Sequence, residues 1–154
     1  MLRPLLFAIG GVLLLLFTAC SYRYDFVVIN KSDKSIEVRY QLKRWTPETP
    51  GKFVDFHPPA KLTEGEFQKS DHRWQDVPKD QFALDNLTGT YTVTVAPDEV
   101  LLLQHVSNYQ GNENEFDFAR IKISGSKGTI DLEGRQAQTQ FKTESDTKYV
   151  IRYR

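Results

Sequence analysis

Eight consecutive residues, Ile36-Glu37-Val38-Arg39-Tyr40-Gln41-Leu42-Lys43, alternate apolar and polar without a break. A period of two places Ile36, Val38, Tyr40 and Leu42 on one face of an extended chain, which is the pattern of a half-buried strand and not of an amphipathic helix. Thr90-Tyr91-Thr92-Val93-Thr94-Val95 repeats the pattern, with Tyr91, Val93 and Val95 on the inward face. Two other runs are apolar at every position: Phe26-Val27-Val28-Ile29 and Val100-Leu101-Leu102-Leu103. Continuous β-branched and aliphatic runs of this length fit strands covered on both faces.

Polar turns separate these runs. Asn30 to Ser35 lies between the first two and predicts a hairpin; Ala96-Pro97-Asp98-Glu99 predicts a second. Phe116 and Phe118 are out of phase with Ile121 and Ile123, so an extra residue near Ala119-Arg120, a bulge, is needed to keep all four inward. Ser124 to Gly128 is a turn and Thr129 to Leu132 its return strand. Phe141 marks a further short strand, Glu144 to Asp146 a turn, and Tyr149 to Tyr153 the last strand. No window has a 3.6-residue apolar period. The expected fold is all-β: an antiparallel β-sandwich, immunoglobulin-like or similar, of roughly seven to nine strands, with a barrel as the main alternative.

The segment 44–79 fits this scheme least. It holds five of the seven prolines, both tryptophans and two of the three histidines. Short strands are expected at Phe53 to Phe56 and Arg73 to Val77, and loops elsewhere.

The first twenty residues are of a different kind. Met1-Leu2-Arg3-Pro4 carries one positive charge, Leu5 to Phe17 is apolar, and Thr18-Ala19-Cys20 follows. A basic start, a short apolar stretch and small residues mark an export signal. The stretch is short for a bilayer core of about 30 Å. Phe17-Thr18-Ala19-Cys20 resembles the lipobox of bacterial lipoproteins, with Phe17 where Leu is commonest. The resemblance implies a diacylglyceryl group on the Cys20 thiol and cleavage before that residue. It also implies a membrane-anchored location in the cell envelope. Ser21 resembles the class sorted to the outer membrane, facing the periplasm, if the host is Gram-negative. The expected organisation is a signal peptide over 1–19, a lipidated tether over 20–24 and a sandwich domain over 25–154. Four extended tether residues reach at most about 14 Å, which keeps the domain close to the headgroups. Cys20 is the single cysteine, so the chain forms no internal disulfide.

The chain has 20 basic and 20 acidic side chains, and loss of Arg3 with the signal leaves a net charge of −1. No basic field gathers a nucleic-acid backbone, and no nucleic-acid partner is expected. Asp55, His57, Asp71 and His72, with Glu64 and Glu66, set carboxylates near imidazoles, but not at the spacing of a metal motif. Solvated loop residues are the expectation there. No G-x-S-x-G elbow or phosphate loop is present, and Ser107 to Glu115 lacks the EF-hand pattern. No catalytic, cofactor or metal residue is therefore assigned, and a non-enzymatic role is expected. Trp45, Trp74 and Tyr109 lie in loop-like sequence, where rings either cap the open ends of a sandwich or form a binding surface. The leading expectation is an envelope lipoprotein with an interaction or assembly role and a protein partner. The alternatives are a carbohydrate- or small-ligand-binding module using those three rings, and a hydrolase or metal enzyme around His57 and His72.

Overall fold

The computed structural model describes residues 22–43, 45, 58–69, 71–111 and 115–154. Eleven strands are present among them: β1 (Arg23–Asn30), β2 (Ile36–Leu42), β3 (Ala60–Thr63), β4 (Gln75–Asp76), β5 (Phe82–Asp85), β6 (Thr90–Val95), β7 (Glu99–Ser107), β8 (Phe118–Gly125), β9 (Gly128–Glu133), β10 (Lys142–Ser145) and β11 (Lys148–Tyr153). Two short helices, α1 (Glu64–Phe67) and α2 (Arg135–Gln140), interrupt them. The strands form a six-stranded sheet, β10-β11-β1-β7-β3-β4, and a five-stranded sheet, β5-β6-β2-β8-β9. The fold is the all-β sandwich the alternation predicts. It has more strands than seven to nine because β3, β4, β5 and β10 are two to four residues long, too short for a period to register. Every pair is antiparallel except β1 with β11, which run parallel.

Ile36, Val38, Tyr40 and Leu42 face the core from β2, and Tyr91, Val93 and Val95 from β6. Tyr40 pairs with Tyr91 across these strands, and their rings stack at 5.3 Å. The bulge is at Ala119: Gln41 pairs with Arg120 and Leu42 with Phe118, so Phe118 and Ile121 both point inward. The β8–β9 hairpin also forms as predicted, closed by the Gly125–Gly128 pair.

The two other predicted hairpins do not form. β1 lies in the six-stranded sheet and β2 in the five-stranded one; β6 and β7 are divided in the same way. The difference follows from the patterns. β2 and β6 are polar on alternate residues and belong where one face meets water. β1 and β7 each hold four consecutive apolar residues, Phe26–Ile29 and Val100–Leu103, and need cover on both sides. Asn30 to Ser35 and Ala96 to Asp98 are therefore arches between sheets. The buried Asn30 side chain ties them together by donating to the carbonyls of Lys34 and Val95.

Two hydrophobic clusters result. The inner one fills the space between the sheets and includes Phe26, Val28, Leu101, Leu103 and Ile151. The outer one lies on the other face of the six-stranded sheet, where Val27, Ile29, Val100, Leu102 and Val150 meet Ala60 and Phe67. Phe141 closes α2 and packs into the inner cluster, and the short strand expected there is β10, beginning one residue later at Lys142. β4 falls within the predicted Arg73 to Val77 strand. Phe53 to Phe56 lies outside the described residues.

Candidate functional site

The outer cluster sits beside a group of polar side chains. On β1, Arg23 and Asp25 share the face of Val27 and Ile29. His105 stands opposite Asp25 on β7. It reaches that face through a second bulge: Phe26 pairs with Gln104 and Val27 with Leu102, leaving Leu103 unpaired. Leu102 and His105 thus point the same way although three residues apart, a phase that a regular strand forbids.

The segment after β3 brings the remaining groups. Thr63 caps α1 in a capping box with Glu66, and the helix lays Phe67 over the sheet. His72 and Trp74 follow, with Phe67 5.4 Å from the His72 ring and 5.8 Å from that of Trp74. Lys148, at the start of β11, donates to the Phe67 carbonyl and lies 4.4 Å above the Phe67 ring.

Asp25 is the centre of this arrangement and is only 6% exposed. Its Oδ1 is 2.7 Å from His105 Nδ1; its Oδ2 is 3.2 Å from His72 Nε2 and 3.3 Å from Trp74 Nε1. Its backbone N–H donates to the Thr147 carbonyl at 2.9 Å. A carboxylate only accepts, so His105 carries its proton on Nδ1 and accepts from Arg23 Nη2 at Nε2. Arg23 Nε lies 2.9 Å from that Nδ1 and 3.6 Å from Asp25 Oδ1, an ion pair with the carboxylate. His72 Nδ1 is 3.0 Å from the Lys69 carbonyl. Both nitrogens of His72 therefore face acceptor oxygens.

Burial alone would raise the Asp25 carboxyl. The hydrogen bonds from His105 and His72 and the charge of Arg23 outweigh it, and together hold the carboxyl below its ordinary range. Both ring nitrogens of each imidazole lie within hydrogen-bonding distance of a neighbouring group. Among the described residues, no cluster of His, Cys, Asp and Glu is arranged to hold a metal ion.

A cleft of about 490 Å³ opens over this cluster. One side is Gln68, His72 and Trp74; the other is Ser145, Thr147 and Lys148 from the β10–β11 hairpin; Arg23 and Asp25 form the floor. Gln68 donates to Glu144, which is also paired with Arg152.

The residues singled out in the sequence are dispersed. Trp45 packs against the inner cluster, and its Nε1 donates to the Asn86 carbonyl at 2.7 Å. Tyr109 lies edge-on to Phe26 at 5.1 Å and accepts from Gln138 at 2.6 Å. Trp74 is on the opposite side of the six-stranded sheet, in the outer cluster. Glu66 is occupied by the cap of α1, and Glu64 pairs with Lys31. His72 takes Asp25, 47 residues away, as its carboxylate. Asp55, His57 and Cys20 lie outside the described residues. Sequence reasoning missed Asp25 and His105. The available signal was a lone carboxylate and a lone imidazole, each beside an otherwise apolar strand run.

Fold and site define an all-β sandwich whose six-stranded sheet is covered on its outer face by a short segment pinned to a buried aspartate. Comparison with family models, with curated proteins and with solved structures finds no match.

Proposed function

We propose that the chain is a lipid-anchored lipoprotein of the cell envelope, whose sandwich has a non-catalytic role in interaction or assembly at the membrane surface. The observation that carries this reading is Phe17-Thr18-Ala19-Cys20 at the end of an apolar run, with β1 beginning only three residues beyond the cysteine. In a Gram-negative host the residue after the cysteine, Ser21, favours the outer membrane facing the periplasm. A thiol carrying acyl chains removes the oxidation hazard of a lone exported cysteine and adds about 0.8 kcal/mol of membrane affinity per buried methylene.

The domain's surface supports the same orientation. Tyr22 and Leu87, the two large hydrophobic side chains that stand 63% and 80% exposed among the described residues, lie at the end of the sandwich where β1 starts. Leu87 belongs to the β5–β6 turn beside the end of β2, and β2 runs back to that end after the Asn30–Ser35 arch. An exposed ring and an exposed leucine beside the tether suit a headgroup boundary. The engaged imidazoles support a non-catalytic role.

Expression of the wild-type chain and of Cys20→Ser, followed by membrane fractionation and crosslinked pull-down, tests the proposal. The wild type is expected in the membrane fraction, solubilised only by detergent, with a reproducible envelope partner. A Cys20→Ser protein that stays equally membrane-bound contradicts the anchor, and repeated recovery of the wild type without a partner contradicts the assembly role.

A further inference from the structure

We infer that the cleft between Trp74 and the β10–β11 hairpin is a binding site for a phosphate group. The cleft combines saturated acceptors with unsaturated donors. Both oxygens of Asp25 are taken by His105, His72, Trp74 and Arg23, so the carboxylate has little left to offer a ligand. Arg23 has five N–H groups, and its side chain is 58% exposed. Lys148 has three and spends one on the Phe67 carbonyl. Ser145 and Thr147, both hydroxyl-bearing residues, line the same space. A ligand matching these groups must bring acceptors and negative charge. Four donor side chains exceed what the two oxygens of a carboxylate take comfortably, and suit the three acceptor oxygens of a phosphate group. The ring of Trp74 provides an apolar wall for whatever the phosphate is attached to.

The position of the cleft adds a source for that chemistry. Arg23 opens β1, and Thr147 accepts from Asp25 at the same end of the sheet. Three extended residues from Cys20 to Arg23 span at most about 11 Å, so a bilayer holding Cys20 places headgroup phosphates within reach of the cleft. The phosphate site itself follows from the side chains and stands without the lipid anchor; only a headgroup source depends on it.

The test uses the full chain in a non-ionic detergent, in a Trp45→Phe background so that Trp74 is the fluorescent reporter. It is titrated with inorganic phosphate at constant ionic strength against chloride. In a second arm, phosphatidic acid is added to the micelles, with diacylglycerol as the phosphate-free control. A saturable response to phosphate or to phosphatidic acid, absent with its control and weakened about tenfold by Arg23→Gln or Lys148→Gln, supports the site. A response to phosphatidic acid alone assigns the headgroup source, and a response to inorganic phosphate assigns free phosphate as sufficient. Thermal unfolding checks each variant. If Lys148→Gln unfolds through loss of its Phe67 contact, the exposed Arg23→Gln decides. No saturable response in either arm, or responses unchanged by Arg23→Gln, overturns the inference.

Discussion

A carboxylate on the outer face of a central strand has to be neutralised where it sits, and Asp25 is neutralised by groups from three separate parts of the chain. Removing the charge while keeping the shape, as in Asp25→Asn, keeps one acceptor oxygen but puts an NH2 donor against either His105 or the His72–Trp74 pair, and leaves Arg23 without its counter-charge. Breaking a buried pair of this kind costs about 3 kcal/mol, and chemical denaturation at neutral pH is expected to read a loss of that order. The pH dependence has a definite sign. The folded carboxyl titrates below the unfolded value of 3.8, so its contribution is fully present above that value and is lost as pH falls through the depressed folded value. Wild-type stability should therefore decline over that acid window, and the Asp25→Asn curve should lack this component. Equal slopes would show that Asp25 is not the titrating group.

Gly89 makes a second residue-scale case. Its φ is +64°, and a Cβ there would lie 2.2 Å from Cγ of Trp45. Gly89→Ala combines left-handed backbone strain of about 1–3 kcal/mol with displacement of the indole. A lowered unfolding midpoint and a red-shifted Trp45 emission are expected.

At the scale of elements, the question is why β1 and β7 differ from β2 and β6. The first two are covered on both faces, the others on one. Leu101 faces the inner cluster and Leu102 the outer one, yet both are almost wholly buried. Leu101→Ala and Leu102→Ala should each cost about 2–5 kcal/mol, whereas Arg39→Ala on the solvated face of β2 should change stability by no more than about 0.5 kcal/mol. A near-neutral Leu102→Ala would mean that α1 and Trp74 do not cover the sheet in solution.

This scale also marks what the sequence made legible. Period two identified β2, β6 and their inward residues. The unbroken runs identified strands covered twice. The phase reversal between Phe118 and Ile121 located a bulge to within a residue. Pairing was not legible, because alternation says which face is wet and not which sheet a strand joins, so the two arches read as hairpins. The bulge at Leu103 left no phase signal in a run apolar at every position, and with it His105 went unnoticed. Asp25 and His105 are 80 residues apart and meet only through sheet register. His72 was visible as an imidazole beside a carboxylate, but the carboxylate that holds it is not its sequence neighbour.

For the whole molecule, the sandwich has two distinct ends. One end holds the Asn30–Ser35 and Ala96–Asp98 arches. The other holds the start of β1, the β5–β6 turn, the β10–β11 turn and the mouth of the cleft. β1 starts at the second end, so the anchoring at Cys20 proposed above would turn that end toward the membrane and the arches away from it. No broad basic surface is needed for that orientation, in keeping with a net charge near zero. The intact mass of the protein recovered from membranes tests this account most directly. A chain starting at Cys20 and heavier by two or three acyl chains is the predicted result. A mass that includes residues 1–19, or one with an unmodified cysteine, contradicts it.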